Sequence, residues 1–254
     1  HFAIRRQRQM CIRDRLIKRG TQAGTPSIHQ KDIKSHSLTL GDSHALSAWV
    51  EGSKCSRNDG LTLNGAINRG FDAYIDEMNM DDFHRLRLYM GNIDLRHHLC
   101  RINTDLASAV ASAEDLARRY AQETLRIKNK YRFNYVEIVE LLPVEHEARR
   151  LPKTGFYKGQ PFWGSAADRM IVRDRFNEEL ERQQEKFGGF RIIEWPSHYK
   201  HCTEFSVETN EVSGIFKDFE GPIVFKPGML RFDVMEKPHS VHVAPSFYLW
   251  EIVL

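Results

Sequence analysis

Serine 43, in the run Leu40-Gly41-Asp42-Ser43-His44, is the first side chain along this sequence that could make and break a bond. A serine hydroxyl attacks a carbonyl carbon only when a base removes its proton and donors receive the charge that develops on the carbonyl oxygen. Gly41 permits a tight turn that leaves the Ser43 hydroxyl exposed near a helix start. The competing assignment is a turn in which Asp42 or Ser43 merely caps that helix. A second cluster, His239-Ser240-Val241-His242, lies near the C-terminus on what should be a loop. A third is Gly91-Asn92-Ile93-Asp94, followed by Arg96, His97, His98, Cys100 and Arg101. Histidine and cysteine are ordinary zinc ligands, but adjacent histidines point in different directions and no Cys-x-x-Cys or His-Glu-x-x-His spacing is present. A structural or substrate-orienting role for Asp94, Arg96 and His98 is expected instead. Arg96 either pairs with Asp94 or holds an anionic group of a substrate bidentately. No metal or cofactor is implied, although a metal-dependent enzyme using Asp94, His97 and His98 is an open alternative.

These side chains need a scaffold, and the hydrophobic pattern supplies one. Ser37-Leu-Thr-Leu alternates and meets Gly41, so a short strand ends just before Ser43. A helix is expected to begin within His44 to Val50, and another across Leu61 to Ile75. Leu86-Arg-Leu-Tyr-Met alternates up to Gly91, a second strand, with Asn92 and Asp94 just past its end. From Thr104 to Lys128 one apolar stripe (Leu106, Ala109, Val110, Ala113, Leu116, Ala117, Tyr120) follows a Thr or Asn cap. Tyr135 to Leu142 is a strand stopped by Pro143. A capping box at Ser165-Ala-Ala-Asp168 opens a second long helix that ends at Gly188-Gly189. Phe190 to Trp195 is a strand closed by Pro196, and Phe247 to Ile252 is expected to form a short docked helix. Strands alternating with helices argue a mainly parallel sheet covered by helices, in which reactive groups gather at the carboxyl ends of the strands.

The order of these blocks resembles the SGNH, or GDSL-type, hydrolases. There a Gly-Asp-Ser near the first strand carries the nucleophile, a glycine and an asparagine follow, and a block near the C-terminus supplies acid and base. The resemblance spans roughly 37–245. It implies a three-layer α/β/α sandwich, flavodoxin-like, with a mainly parallel sheet of about five strands. It also implies Ser43 as nucleophile, His242 as base, and an oxyanion hole formed by the Ser43 N–H, Gly60 and Asn92. Asp42, His44, Asp94, Arg96, His98 and His239 would line the substrate. Two departures stand out. Asn92 directly follows Gly91, where the family leaves a residue between them, as in a divergent branch with Gly-Glu-Ile-Asp before an arginine and a histidine. The position three before His242 is His239 where the family has aspartate, so Asp233 or Glu236 would have to complete a triad, unless Ser43 and His242 act as a dyad. The implied activity is ester hydrolysis through an acyl-serine, with a small acylated substrate such as an acetylated glycan. The alternative is a degenerate module that binds a glycan or partner protein without turnover. Aromatics in the loop around Phe156, Tyr157, Phe162 and Trp163, with Trp195, would suit a substrate wall, or equally core packing.

The chain as a whole bounds this assignment without sharpening it. Its 254 residues, 41% hydrophobic and 28% charged, suit one globular α/β domain, taken as 36–254, after a lead-in of 1–35. Within that lead-in, Arg6 to Arg15 resembles translated sequencing-adapter read-through and is set apart from the fold. In the first twenty residues Arg5, Arg6, Arg8, Arg13, Arg15, Lys18 and Arg19 face the single Asp14, so the body is near neutral or slightly acidic; it shows no basic stripe interleaved with aromatics, and nucleic acid is not an expected partner. No stretch approaches the apolar length of a membrane span, and no apolar run marks a signal peptide, so a cytoplasmic location is expected. The scattered Cys11, Cys55, Cys100 and Cys202 suit reduced thiols.

Overall fold

Leucine and β-branched residues at alternate positions drive the strands of this chain to one buried sheet face. The computed structural model describes residues 37–50, 53–75, 83–142, 158–160, 163–207, 222–231, 234 and 242–249. Strand β1 (Ser37–Gly41) is followed by a 3-10 turn at Ala45–Ala48, strand β2 (Lys54–Arg57), helix α1 (Leu63–Arg69) and a helical turn at Asp72–Ile75. Strand β3 (Arg85–Tyr89) leads into a π-helical segment, Asp94–Leu99, continued by Cys100–Ile102. Then come helix α2 (Leu106–Tyr131), strand β4 (Tyr135–Val139), helix α3 (Ala166–Phe187) and strand β5 (Arg191–Ile193). The five strands are ordered β2-β1-β3-β4-β5, and every adjacent pair is parallel. The expected α/β architecture with a five-stranded parallel sheet is therefore present. Strands β6 (Phe205–Val207) and β7 (Ile223–Phe225) form a separate antiparallel pair that alternation in the sequence does not reveal.

Leu38 and Leu40 of β1, Leu86 and Leu88 of β3, and Val136 and Ile138 of β4 pack in one cluster with α1, α2 and α3. Each such buried side chain contributes roughly 1.5–3 kcal/mol. Both long helices thus lie on this face. The opposite face is covered, among the described residues, by Ala48 of the first 3-10 turn and by Trp195, Tyr199, Leu230 and Val243, packed against Tyr89 and Val139. Trp195 is 2% exposed and its indole N–H donates to the Glu140 carbonyl, so it is core and not a substrate wall. Trp163 is half exposed, while Phe156, Tyr157 and Phe162 lie outside the described residues.

That second face also carries a polar row. The register aligns Thr39, Arg87, Glu137 and Arg191 on neighbouring strands. Glu137 accepts from Arg87 Nε at 2.8 Å, Arg191 Nη2 at 2.6 Å and Arg85 Nη2 at 2.7 Å. Burial alone would raise the Glu137 carboxyl, but the hydrogen bonds and charges of Arg85 and Arg87 hold it below its ordinary range. A second Arg87 amino group donates to the Ala48 carbonyl at 3.0 Å and ties the turn after Ser43 to the sheet.

The helix boundaries follow local chemistry. Asp105, not Thr104 or Asn103, caps α2 by accepting from Ser108 N–H at 2.8 Å. Ser165 and Asp168 form the expected reciprocal capping box. The helix expected over Leu61 to Ile75 is broken at Gly70, whose φ of 82° lies in the left-handed region. The C-terminal helix expected from Phe247 is instead a 3-10 turn, Pro245–Phe247, followed by extended Tyr248; residues 250–254 lie outside the described residues.

Gly41 ends β1 beside the β3 backbone. A Cβ on this residue would stand 2.2 Å from the Tyr89 carbonyl oxygen and 3.0 Å from its carbon. Both backbones are held by the β1–β3 ladder, so neither can yield. Gly41→Ala is expected to lower stability by about 3 kcal/mol, read as a shift in the urea midpoint; a midpoint equal to that of the wild type would show the approach to be relaxed.

Candidate functional site

In the order β2-β1-β3, the chain leaves β1 towards one side and returns to the other, which makes the β1/β3 boundary the topological switch point. Loops diverge there beyond the carboxyl ends of the strands and leave a crevice. Asp42, Ser43 and His44 follow β1, and Asn92, Asp94 and Arg96 follow β3, so the topology brings the first and third sequence clusters to the same boundary.

The turn after β1 is fixed from both sides. Asp42 N–H donates to the Tyr89 carbonyl at 3.2 Å, and Ala45 N–H donates to the Asp42 carbonyl at 3.1 Å. Asp42 itself is fully buried. Its Oδ1 accepts from His44 N–H at 2.8 Å, and its Oδ2 has no hydrogen-bond partner among the described residues. Burial pushes this carboxyl up to about 7, against the opposing His44 N–H and the Arg96 charge. Asp42 thus acts as the internal brace of the Ser43 turn. Ser43 is half-buried, and among the described residues neither its N–H nor its hydroxyl is engaged in a hydrogen bond.

His44 is buried and turns its ring towards two partners. Its Nε2 lies 2.9 Å from Arg96 Nη2, and its ring centroid is 4.7 Å from that of His242, tilted by 41°. The structure therefore brings His242, two hundred residues away in the chain, to the turn that carries Ser43. Its described ring contact is with His44, and Ser43 makes no hydrogen bond to it. Asp233, Glu236 and His239 lie outside the described residues.

Asn92 is 2% exposed. Its Oδ1 accepts from Leu142 N–H at 3.1 Å, which fixes the amide plane, while its buried Nδ2 lies near the Tyr89 hydroxyl without a hydrogen bond of normal geometry among the described residues. Gly91, at φ 117°, lets the chain reverse here, and a Cβ would meet Leu141 Cδ2 at 2.9 Å. Gly60 sits in the exposed turn after β2, closed by Leu61 N–H to the Asn58 carbonyl at 3.2 Å. Asn58 joins that turn to β1 by donating its N–H to the Gly41 carbonyl at 2.9 Å. Sequence reasoning passed over Asn58; the Asn58-Asp59-Gly60 turn signal was the clue to a loop at this edge.

Asp94 and His98 point elsewhere. The expected Asp94–Arg96 ion pair is not formed, because Asp94 accepts from Leu63 N–H at 2.7 Å and Asn64 N–H at 3.2 Å at the start of α1. Burial raises this carboxyl to about 6, opposed by those two N–H groups. Its role is to pin α1 to the loop after β3. His98 Nδ1 lies 3.2 Å from Arg101 Nη2, and burial, with the Arg101 charge, lowers its proton affinity. Asp94 and His98 line a cavity of about 540 Å³ with Thr62, Asn64, Ser112 and Arg119, which neither Ser43 nor His44 lines. Among the described residues no three His, Cys, Asp or Glu side chains converge as metal ligands, and no helix is long and apolar enough to cross a membrane.

No family model matches the chain, and no curated protein matches it. Among solved structures it is similar to phospholipase A1 from Streptomyces albidoflavus NA297, at 11% identity and TM-score 0.35, covering 61% of this chain and 77% of that one. A lipase/acylhydrolase from Enterococcus faecalis is similar at 9% identity and TM-score 0.33, covering 62% and 75%. BT4096, described as a gut microbial diltiazem-metabolizing enzyme, is similar at 11% identity and TM-score 0.39; the match covers 64% of this chain and only 37% of that one.

Asp42 gives the site a pH signature. Its folded-state value of about 7 lies above the 3.8 of a free aspartate, so the folded state binds the proton more tightly. The stabilisation this provides is complete below about pH 4 and is lost as pH rises through about 7. Asp42→Asn, which keeps an acceptor for His44 N–H, is expected to be more stable than the wild type at about pH 8, by on the order of a few kcal/mol. Urea midpoints at about pH 5 and pH 8 should also lie closer together in the variant, with Asp94 supplying the slope that remains. An unchanged slope would show that Asp42 is ionised throughout.

Proposed function

We propose that the protein is a serine ester hydrolase of SGNH type that acts through an acyl-Ser43 intermediate. The observation that carries this proposal is the Ser43 turn. It stands at the β1/β3 switch point with its hydroxyl and N–H both unengaged among the described residues, one residue from the His44 ring that meets His242. The buried Asn92 Nδ2 supports it: it makes no hydrogen bond of normal geometry among the described residues, and a buried donor so placed after β3 is suited to a ligand oxygen.

In this mechanism His242 takes the Ser43 proton as Oγ attacks the ester carbonyl carbon. The oxyanion is received by the Ser43 N–H, with the Asn92 amide and the Gly60 N–H as further donors. Collapse of the tetrahedral intermediate breaks the ester C–O bond, and the leaving alkoxide takes the proton from His242. Water, deprotonated by His242, then attacks the acyl carbon, releases the carboxylate and restores the Ser43 hydroxyl. An O-acetylated carbohydrate is the substrate class proposed, on the sequence resemblance alone.

Incubation with a fluorophosphonate probe, read by mass spectrometry, tests the nucleophile. Labelling is expected on Ser43 and is expected to be lost in Ser43→Ala and His242→Ala, with esterase turnover on an activated acetate ester falling about 10³-fold or more. A wild type that the probe leaves unmodified would overturn the proposal and favour a glycan-binding module, to be assayed by binding without turnover.

A further inference from the structure

Arginine has five N–H donors and no acceptor, so the 2.9 Å contact between Arg96 Nη2 and His44 Nε2 allows only one arrangement of protons. His44 Nε2 must be the acceptor. The His44 ring is then neutral, with its hydrogen on Nδ1. Adding a second proton would break this bond and set an imidazolium against a buried guanidinium. Arg96 is 6% exposed and His44 is 1% exposed, so solvent screens the contact little.

Arg96 reaches His44 because of the backbone it stands on. Asp94–Leu99 is π-helical, a geometry that occurs mostly as single turns and often at functional sites. Asp94, at one end, is tied to the α1 backbone by two hydrogen bonds, while Arg96, two residues on, points away from α1 to His44. The His44 ring also meets that of His242, centroid to centroid at 4.7 Å. Tyr89 stands edge-on to His44 at 6.1 Å.

We propose that Arg96 and His44 are a positioning pair for the base His242: Arg96 holds His44 as a neutral imidazole wall against which the His242 ring is oriented and can accept a proton. This rests on the assignment of Ser43 and His242 above. It adds a task for the histidine of Gly-Asp-Ser-His and for the arginine of the third block, neither of which touches the reacting atoms. A neutral neighbour lets His242 become imidazolium during acylation without facing a second cation on the adjacent ring. Among the described residues, ionisable groups near the pair include Asp42, whose main-chain neighbour is Ser43, Asp94, Tyr89 and the buried His97 next to Arg96; Asp233, Glu236 and His239, near His242 in sequence, lie outside the described residues.

The test compares wild type, Arg96→Gln and Arg96→Gln/His44→Phe. Long-range ¹H–¹⁵N spectra of histidine-labelled protein from about pH 5 to about pH 8 report tautomer and protonation directly, without needing turnover. In the wild type His44 is expected to stay in the Nδ1–H form across that range, and in Arg96→Gln it is expected to titrate. In esterase assays Arg96→Gln should lower kcat by about tenfold to a hundredfold with KM little changed, and should move the acid limb of the kcat profile to higher pH. Adding His44→Phe removes the extra ionisation, so the double variant's limb should fall back towards the wild type; any shift of Asp42 caused by the lost Arg96 charge is common to both variants and cancels. A merely structural bond would lower the melting temperature of Arg96→Gln and leave the acid limb in place, which would overturn the proposal. So would a His44 that titrates in the wild type. Absence of probe labelling on wild-type Ser43 would instead overturn the hydrolase assignment, and the spectra would still report whether Arg96 sets the His44 tautomer.

Discussion

The approach of the β1 terminus to the Tyr89 carbonyl is the constraint on which the rest of the site depends. Gly41 brings β1 against β3 at a distance no side chain permits, and Asp42 N–H donates to that same carbonyl at 3.2 Å. Strand β1 therefore stops at a defined point, and Ser43 is delivered at the edge where the chain reverses direction across the sheet. The Asp42 carboxyl then braces the turn from inside through His44 N–H. Its cost is visible in the proton affinity of the buried carboxyl, raised by loss of water. Such a cost is of the kind met where local structure departs from what stability alone would choose.

Charge is used differently on the two sides of this edge. On the polar face of the sheet, one carboxylate, Glu137, accepts from Arg85, Arg87 and Arg191, so desolvation is offset by several charge-assisted hydrogen bonds. Arg87 passes that order on to the Ser43 turn through the Ala48 carbonyl. At the carboxyl edge, Asp94 and Arg96 are two residues apart and opposite in charge, yet they serve separate partners. The π-helical turn turns the carboxylate to the start of α1 and the guanidinium to His44, so two loops and the Ser43 turn are cross-linked by one segment.

Much of the scaffold was legible from local chemistry. The 2-residue period of Leu38 and Leu40 or of Val136 and Ile138, the apolar stripe of α2, and the Ser165 capping box each specify an element whatever surrounds it. Strand β2 was missed because Lys54-Cys-Ser-Arg has no apolar alternation; as an edge strand it is made by main-chain pairing to β1. Trp195 read equally well as wall or core, since only the packing of Tyr89 and Tyr199 around it decides. The Asp94–Arg96 pair was one of two readings of opposite charges close in sequence, and the backbone of the turn decided against it by facing Asp94 to α1 and Arg96 to His44.

By itself, the sequence determined the alternation of the main strands and long helices, hence a parallel α/β sheet, and the three clusters of Ser, His, Asn, Asp and Arg side chains on which the proposed function rests. Those are properties of residue type and period, which act over a few neighbours. Tertiary structure alone decided that His242 meets the ring of His44, that Arg96 Nη2 stands at hydrogen-bond distance from His44 Nε2, and that Asp94 is committed to the α1 backbone. Each of these joins residues far apart in the chain, through orientations that depend on where strands stop and loops turn. A linear pattern carries no such information, because hydrogen bonds and ring contacts are set by ångström-scale placement of both partners.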